Sequence, residues 1–246
     1  MAKSSFSVNH PIDCACVIHG NGYDWIYVER LYSMLVKLLP QGVNLHVYTE
    51  HNRSVPPHMI KHSLIEFPKE ITGPKKSWWY KMQLFNPEQF DKQLLYFDLD
   101  VVLLRDLSWI FTNSTDYLYG IRDFRYLQRN TVHGLNSSCL WFDVKKYSFL
   151  WDEFMKQGPV ENSKAFYGDQ EFITAKLDYN KRRFFDDKYF ESYRWQCLDG
   201  GYDFSFRKHR APNTGAKIAN ETCVIVFHGK PKPHQITDPA IVKLWC

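Results

Sequence analysis

Two aspartates inside an apolar run are the residues of this sequence best placed to do chemistry. Residues 94–104 read LLYFDLDVVLL, so Asp98 and Asp100 interrupt what is otherwise the pattern of a buried strand. Side chains alternate along a strand, which predicts that both carboxylates point the same way. Held roughly 5 Å apart at an effective dielectric of about 20, they repel by about 3 kcal/mol, and burial disfavours their charged forms further. A cation must offset that. A hard divalent ion suits oxygen ligands and leaves positions open for phosphate oxygens. The alternative, in which Asp98 caps a turn and Asp100 is solvated, gives no reason for two polar groups to sit in so long an apolar run.

The elements that must position this pair are read from the rest of the chain. Residues 14–18 form a short apolar strand, and Gly20, Asn21 and Gly22 supply the turn after it. Asp24 caps a helix whose apolar residues Ile26, Leu31, Leu35, Leu38 and Leu39 recur at helical spacing as far as Pro40. Residues 43–48 make the next strand. This strand, turn, helix, strand order opens a parallel sheet, in which ligands gather at the carboxyl ends of strands. The loop from His19 to Tyr23 is therefore a ligand loop. It has no phosphate-cradling glycine string, so it would receive a base or ribose, with Tyr23 free to stack.

Further along, a short strand is expected at 64–67, and a helix at 78–85 capped by Ser77. Lys81 lies one turn from Trp78 and Phe85 on that helix, where it either snorkels or reaches a phosphate. Residues 106–111 read as helical, and 117–121 as a strand ending at Arg122 and Asp123. Asn136, Ser137 and Ser138 lead into a strand at 139–142; such small polar residues form turns or bind hydroxyls at close range. A helix follows at 147–155, and Gly168, Asp169 and Gln170 open another that runs to about Leu177. The apolar strand 223–227 ends in His228, Gly229, Lys230 and Lys232. There the glycine permits close backbone approach and the lysines offer positive charge to an anion.

The 246 residues suffice for one α/β domain, and no Pro/Gly/Ser-rich linker divides them. A net charge of +4 with 24% charged residues and no Lys/Arg run lacks the footprint of a nucleic-acid binder. Eight Trp and fifteen Tyr fit either a ring-stacking site or a large core. The first twenty residues lack the apolar region of a signal peptide, and no window resembles a membrane span, which predicts a cytoplasmic protein. Cys14, Cys16, Cys139, Cys197, Cys223 and Cys246 show no zinc-ligand spacing and are expected to be mostly reduced and structural.

Taken in order, these segments resemble the metal-dependent glycosyltransferases of the GT-A fold, and most of all the family 8 group of glycogenin and bacterial lipopolysaccharide galactosyltransferases. The resemblance runs from about Cys14 to His234. It implies an α/β fold with a Rossmann-like, mostly parallel sheet, as a single domain over 1–246. His19 and Tyr23 fall in the nucleotide loop. Lys81 stands where a donor-phosphate lysine does, and Asp98, Leu99 and Asp100 match the metal and ribose motif. Asp123 matches a sugar-contacting aspartate. Asn136 and Ser137 match an Asn-Ser-Gly motif, with Ser138 in the glycine place. Asp169 and Gln170 match the Asp-Gln pair, and His228 matches the third metal ligand after Asp98 and Asp100. Gly229, Lys230 and Lys232 form a shortened terminal motif in which one lysine would take the phosphate role.

The reaction implied is transfer of a sugar from a nucleoside-diphosphate donor, a UDP-sugar by resemblance, to a hydroxyl of a carbohydrate, lipid-linked or protein acceptor. Mn²⁺ would serve, or Mg²⁺, with manganese favoured because imidazole is a poor magnesium ligand. Retention is expected, with Gln170 near the anomeric carbon and Asp169 orienting the sugar or acceptor; inversion would instead make Asp169 the general base. Two other readings stay open. Asp98 could be the nucleophile of an aspartate-dependent phosphatase, with Lys81 or a later lysine and the pair Asp186 and Asp187 completing its site. The chain could also be an inactive sugar-nucleotide or glycan-binding module. Any membrane contact would be peripheral, with the basic, aromatic residues 181–194 as its candidate.

Overall fold

In the computed structural model, the described residues are 10–71, 74–127, 134–198, 202–203, 208–209 and 216–245. Apolar residues in the first two strands build the start of a parallel sheet. In it β1 (Ile12–Val17) pairs with β2 (Val43–Thr49), Cys14 lying opposite Leu45. Between them α1 (Ile26–Leu38) buries Tyr27, Val28, Leu31, Met34 and Leu35, the i, i+3, i+4 stripe of an amphipathic helix. Leu31 and Leu35 are fully buried, each contributing about 2 kcal/mol of burial. The Asp24 carboxylate accepts the Ile26 amide at 3.1 Å.

β3 (Ile60–Ser63) pairs in parallel with β2. This corrects the strand expected at 64–67, and the reason is local. The amide side chain of Gln83 takes both backbone groups of Ile65, at 2.8 and 2.7 Å, in place of a ladder. Leu64 and Phe67 are buried there as core, not as sheet. The helix expected at 78–85 begins earlier, as α2 (Pro74–Trp79), and tightens into a 3₁₀ turn over Tyr80–Phe85.

The aspartate stretch is two strands instead of one. β4 (Gln93–Phe97) lies beside β1 in the main sheet, and β5 (Val101–Leu103) belongs to a second sheet. Each sheet claims one aspartate backbone. The Asp98 amide donates to the Ser138 carbonyl at 2.9 Å, and the Asp100 carbonyl accepts from the Phe227 amide at 2.9 Å. The chain changes sheet at Leu99, which lets two carboxylates leave a packed strand and face one cavity.

The remainder comprises β6 (Leu118–Arg122), β7 (Leu135–Asp143), α3 (Val144–Tyr147), α4 (Phe149–Gln157), α5 (Pro159–Ala165), α6 (Asp169–Lys176), β8 (Arg182–Phe184), β9 (Phe190–Ser192), the hairpin of β10 (Tyr202–Asp203) with β11 (Lys208–His209), then β12 (Val224–Val226) and α7 (Pro239–Leu244). The central sheet has seven strands in the order β3-β2-β1-β4-β7-β6-β8 and is parallel except on the two sides of β7. The second sheet runs β5-β12-β9. Strand β7 reaches back to Leu135, so Asn136 to Ser138 lie in a strand and not in a turn. The helix expected at 106–111 is a 3₁₀ turn, Ser108–Thr112.

Alternating residues of the central strands feed two apolar cores, Cys14, Cys16, Leu95 and Phe97 into one and Ala15, Leu94 and Tyr96 into the other. The chain leaves β1 for β2 on one side, while β4 pairs on the other, so a topological switch point lies between β1 and β4. Cys14, Cys16, Cys139, Cys197 and Cys223 are buried free thiols; Cys246 lies outside the described residues. No helix among the described residues is long and apolar enough to cross a membrane. Of residues 181–194, Phe185, Phe190 and Tyr193 are core side chains.

Candidate functional site

A cavity of about 1340 Å³ opens at the carboxyl ends of β1 and β4, and it is lined by every residue assigned to the transferase site by resemblance. The loop after β1 brings His19 and Tyr23. The 3₁₀ turn after α2 brings Lys81, and the break between β4 and β5 brings Asp98, Leu99 and Asp100. Asp123 follows β6, Asn136 and Ser137 open β7, Asp169 and Gln170 form the first turn of α6, and His228, Gly229, Lys230 and Lys232 follow β12.

Charge in this cavity is arranged in pairs. The Lys81 ammonium lies 3.1 Å from Asp98 and 3.2 Å from Asp169, and donates to the Ser137 hydroxyl at 2.9 Å. Burial alone would lower the Lys81 pKa, but Asp169 and Asp98 hold it above the usual lysine value. Asp98 also accepts from the Tyr96 hydroxyl at 2.6 Å. Burial would raise its carboxyl; Lys81, with hydrogen bonds from Tyr96 and Ser138, brings it below the usual value. Ser138, which stands in the glycine place of the motif, thus serves as a partner of Asp98. Asp169 accepts from Ser137 at 2.6 Å, yet burial keeps its pKa raised.

The second aspartate has its own cation. Asp100 accepts from the Lys232 ammonium and, at 2.8 Å, from the Tyr23 hydroxyl. Its pKa is raised, first by burial, with Lys232 opposing and Asp98 adding to the shift. The Tyr23 hydroxyl is tied to Asp100 and Lys232, and its ring meets Tyr27 edge-on at 4.9 Å. His19 stacks on Tyr80 at 4.0 Å. Lys230 is exposed at the rim, whereas Lys232 reaches inside.

At the far side, Asp123 accepts from the Gln170 amide at 3.1 Å and from Arg125 Nε at 2.7 Å. Asn136 turns its side-chain oxygen onto the Ser138 amide at 3.0 Å. His228 lies between Phe124, stacked at 5.6 Å, and Trp195, edge-on at 4.3 Å, with its Nε2 2.6 Å from the Ser192 hydroxyl. Burial, and then Arg194, push its pKa down to about 4, so the imidazole is neutral, the form that ligates metals.

Asp98 and Asp100 fit a hard divalent cation: both are oxygen donors, both line the cavity, and both already hold cationic groups. The expected three-ligand centre is nonetheless not assembled. Among the described residues no three His, Cys, Asp or Glu side chains are placed to hold one ion. Lysines occupy the two carboxylates and Ser192 occupies His228.

Several lining residues escaped sequence reading. Tyr96 is two residues before Asp98 on one strand, hence on the same face, and that spacing could have revealed it. Arg125, two residues after Asp123, and Trp195 gave no such signal. Trp78 and Tyr167 form an aromatic wall, with ring centres 5.6 Å apart. Asp186 and Asp187, which a phosphatase site would need, are not among the lining residues; Asp187 pairs with Arg122 at 3.0 Å and Asp186 with Lys188 at 3.3 Å.

No family profile matches the chain, and no curated protein matches it. Solved structures do. The galactosyltransferase LgtC, crystallised with donor and acceptor sugar analogues, superposes with a TM-score of 0.60 at 13% identity over 95% of each chain. The glycosyltransferase GlyE of Streptococcus pneumoniae TIGR4 gives 0.63 at 13% identity, over 96% of this chain and 60% of that one. Mouse xyloside xylosyltransferase 1 gives 0.53 at 13%, over 89% and 98%. The chain therefore has the GT-A glycosyltransferase fold, as its motifs implied.

Proposed function

We propose that the protein is a glycosyltransferase that moves a sugar from a nucleoside-diphosphate donor, a UDP-sugar, to a hydroxyl acceptor with retention of configuration. The observation that carries this reading is the pairing of Asp98 and Asp100 with Lys81 and Lys232 at the switch point of a GT-A sheet. A diphosphate needs concentrated positive charge that is already in place, and two ammoniums held on carboxylates provide it. Asp98 and Asp100 would hold a divalent cation, with His228 as proposed third ligand; when bound, it supplies charge to the leaving diphosphate. Mn²⁺ stands ahead of Mg²⁺ because that third ligand is an imidazole.

The chain's own groups divide the remaining work. Lys81 and Lys232 bind phosphate oxygens. Asp123, Asn136 and Ser137 offer hydrogen bonds to sugar hydroxyls. Gln170 presents a carboxamide where positive charge develops on the sugar, and Asp169, fixed by Lys81 and Ser137, orients the reactants. The acceptor is a carbohydrate, lipid-linked or protein hydroxyl, reached from the Trp78 and Tyr167 side.

A panel of nucleotide sugars and phosphate esters, each offered with Mn²⁺, tests the reading. UDP release from at least one UDP-sugar, with no hydrolysis of phosphate esters, is expected. Phosphate release from the esters, with no UDP from any donor, would put the phosphatase in its place. Metal-dependent UDP binding without turnover of any donor would make the protein a binding module.

A further inference from the structure

We propose that Lys232 is a placeholder for the cation at Asp100, so that metal and diphosphate enter this site together and neither binds well alone. The inference rests on the donor-site reading above. Its basis is where the Lys232 ammonium lies: on the Asp100 carboxylate, 2.9 Å from the Tyr23 hydroxyl and 3.3 Å from the Phe227 carbonyl. Those oxygens surround it on the cavity side of Asp100, the carboxylate a divalent ion would share with Asp98. An ammonium and a divalent ion cannot both hold that carboxylate without strong repulsion.

The backbone of the segment is anchored, so the exchange belongs to the side chain. The Lys232 amide donates to Gln235 Oε1 at 2.8 Å, and His234, two residues on, is bonded to the Tyr27 hydroxyl. A four-carbon stem on a fixed backbone lets the ammonium leave Asp100 and still reach an anion in the same cavity. Lys81 is the more enclosed of the two, its side chain 11% exposed against 24% for Lys232, and it lies among Asp98, Asp169 and Ser137.

Charge makes the coupling two-sided. Asp98, Asp100 and Asp169 against Lys81 and Lys232 leave a slight negative excess. A divalent cation alone reverses that sign, a diphosphate alone deepens it, and the two together leave it unchanged. When both arrive, Lys232 loses its carboxylate to the metal and gains a phosphate.

Calorimetry on the full chain decides this, with Mn²⁺ alone and then UDP in saturating Mn²⁺, on wild type, Lys232→Met and Lys232→Arg of matched melting temperature. Lys232→Met is expected to bind Mn²⁺ alone at least tenfold more tightly than wild type, and to bind UDP with Mn²⁺ at least tenfold more weakly, a coupling of the size sites commonly show. Lys232→Arg keeps the charge and should behave as wild type in the Mn²⁺ arm. Mn²⁺ binding to Lys232→Met that is no tighter than to wild type, or is absent, overturns the placeholder. Failure of wild type to bind UDP with Mn²⁺ would instead sink the donor-site reading, while the Mn²⁺ arm still decides Lys232.

Discussion

Gln170 and Asp169 are adjacent in sequence but engaged differently, and the difference bears on stereochemistry. Asp169 spends its carboxylate on Lys81 and Ser137, which is poor preparation for abstracting an acceptor proton. The Gln170 amide donates to Asp123 at 3.1 Å, and its side chain lines the cavity beside Asp169. NMR of the product from an α-linked UDP-sugar should therefore show an α linkage, and Gln170→Ala should lower kcat about a hundredfold, as loss of one charge-stabilising group does elsewhere. A β-linked product would make Asp169 the general base. At this scale the sequence was informative where residue type alone limits chemistry: paired aspartates, an interior lysine and a histidine before glycine all came to one cavity. It was silent on partners. Nothing in the local sequence says that Lys232 sits on Asp100, because the two lie 132 positions apart and meet only where β5 pairs with β12.

Elements were legible where their periodicity was long, and illegible where tertiary bonds replaced local ones. α1 and the first two strands follow their apolar pattern. The strand at 64–67 fails because Gln83 captures its backbone, and the strand at 94–104 splits because each half belongs to a different sheet. The loop after β1 shows how an element end is held. Glu50, just past β2, accepts from the Gly20 amide and from Arg53, which in turn donates to the Gly20 carbonyl at 2.8 Å. Gly20 has φ +66°, the left-handed region that glycine tolerates. Burial would raise the Glu50 carboxyl, but Arg53, the Gly20 amide and Thr49 bring it down to about 2. A folded-state pKa below the ordinary ~4.3 contributes stability that is complete above that value and is lost as pH falls towards 2. Glu50→Gln should thus be less stable than wild type at pH 7 by about 1 kcal/mol in urea denaturation. The gap should close by pH 2; a gap that persists there would remove Glu50 from this role.

For the whole molecule, fold and chemistry meet at the switch point between β1 and β4, where diverging connections leave a crevice. A chain only 13% identical to LgtC, GlyE and xyloside xylosyltransferase 1 keeps that architecture, because the sheet order depends on apolar periodicity more than on particular residues. The acidic pair, by contrast, depends on a break in the chain's path between two sheets. The most direct measurement is a crystal structure with UDP and Mn²⁺, with manganese located by its anomalous scattering. The account predicts one manganese bound to both Asp98 and Asp100, with the diphosphate on it and Lys81 and Lys232 on the phosphate oxygens. UDP bound outside the cavity, or a manganese touching neither carboxylate, would contradict it.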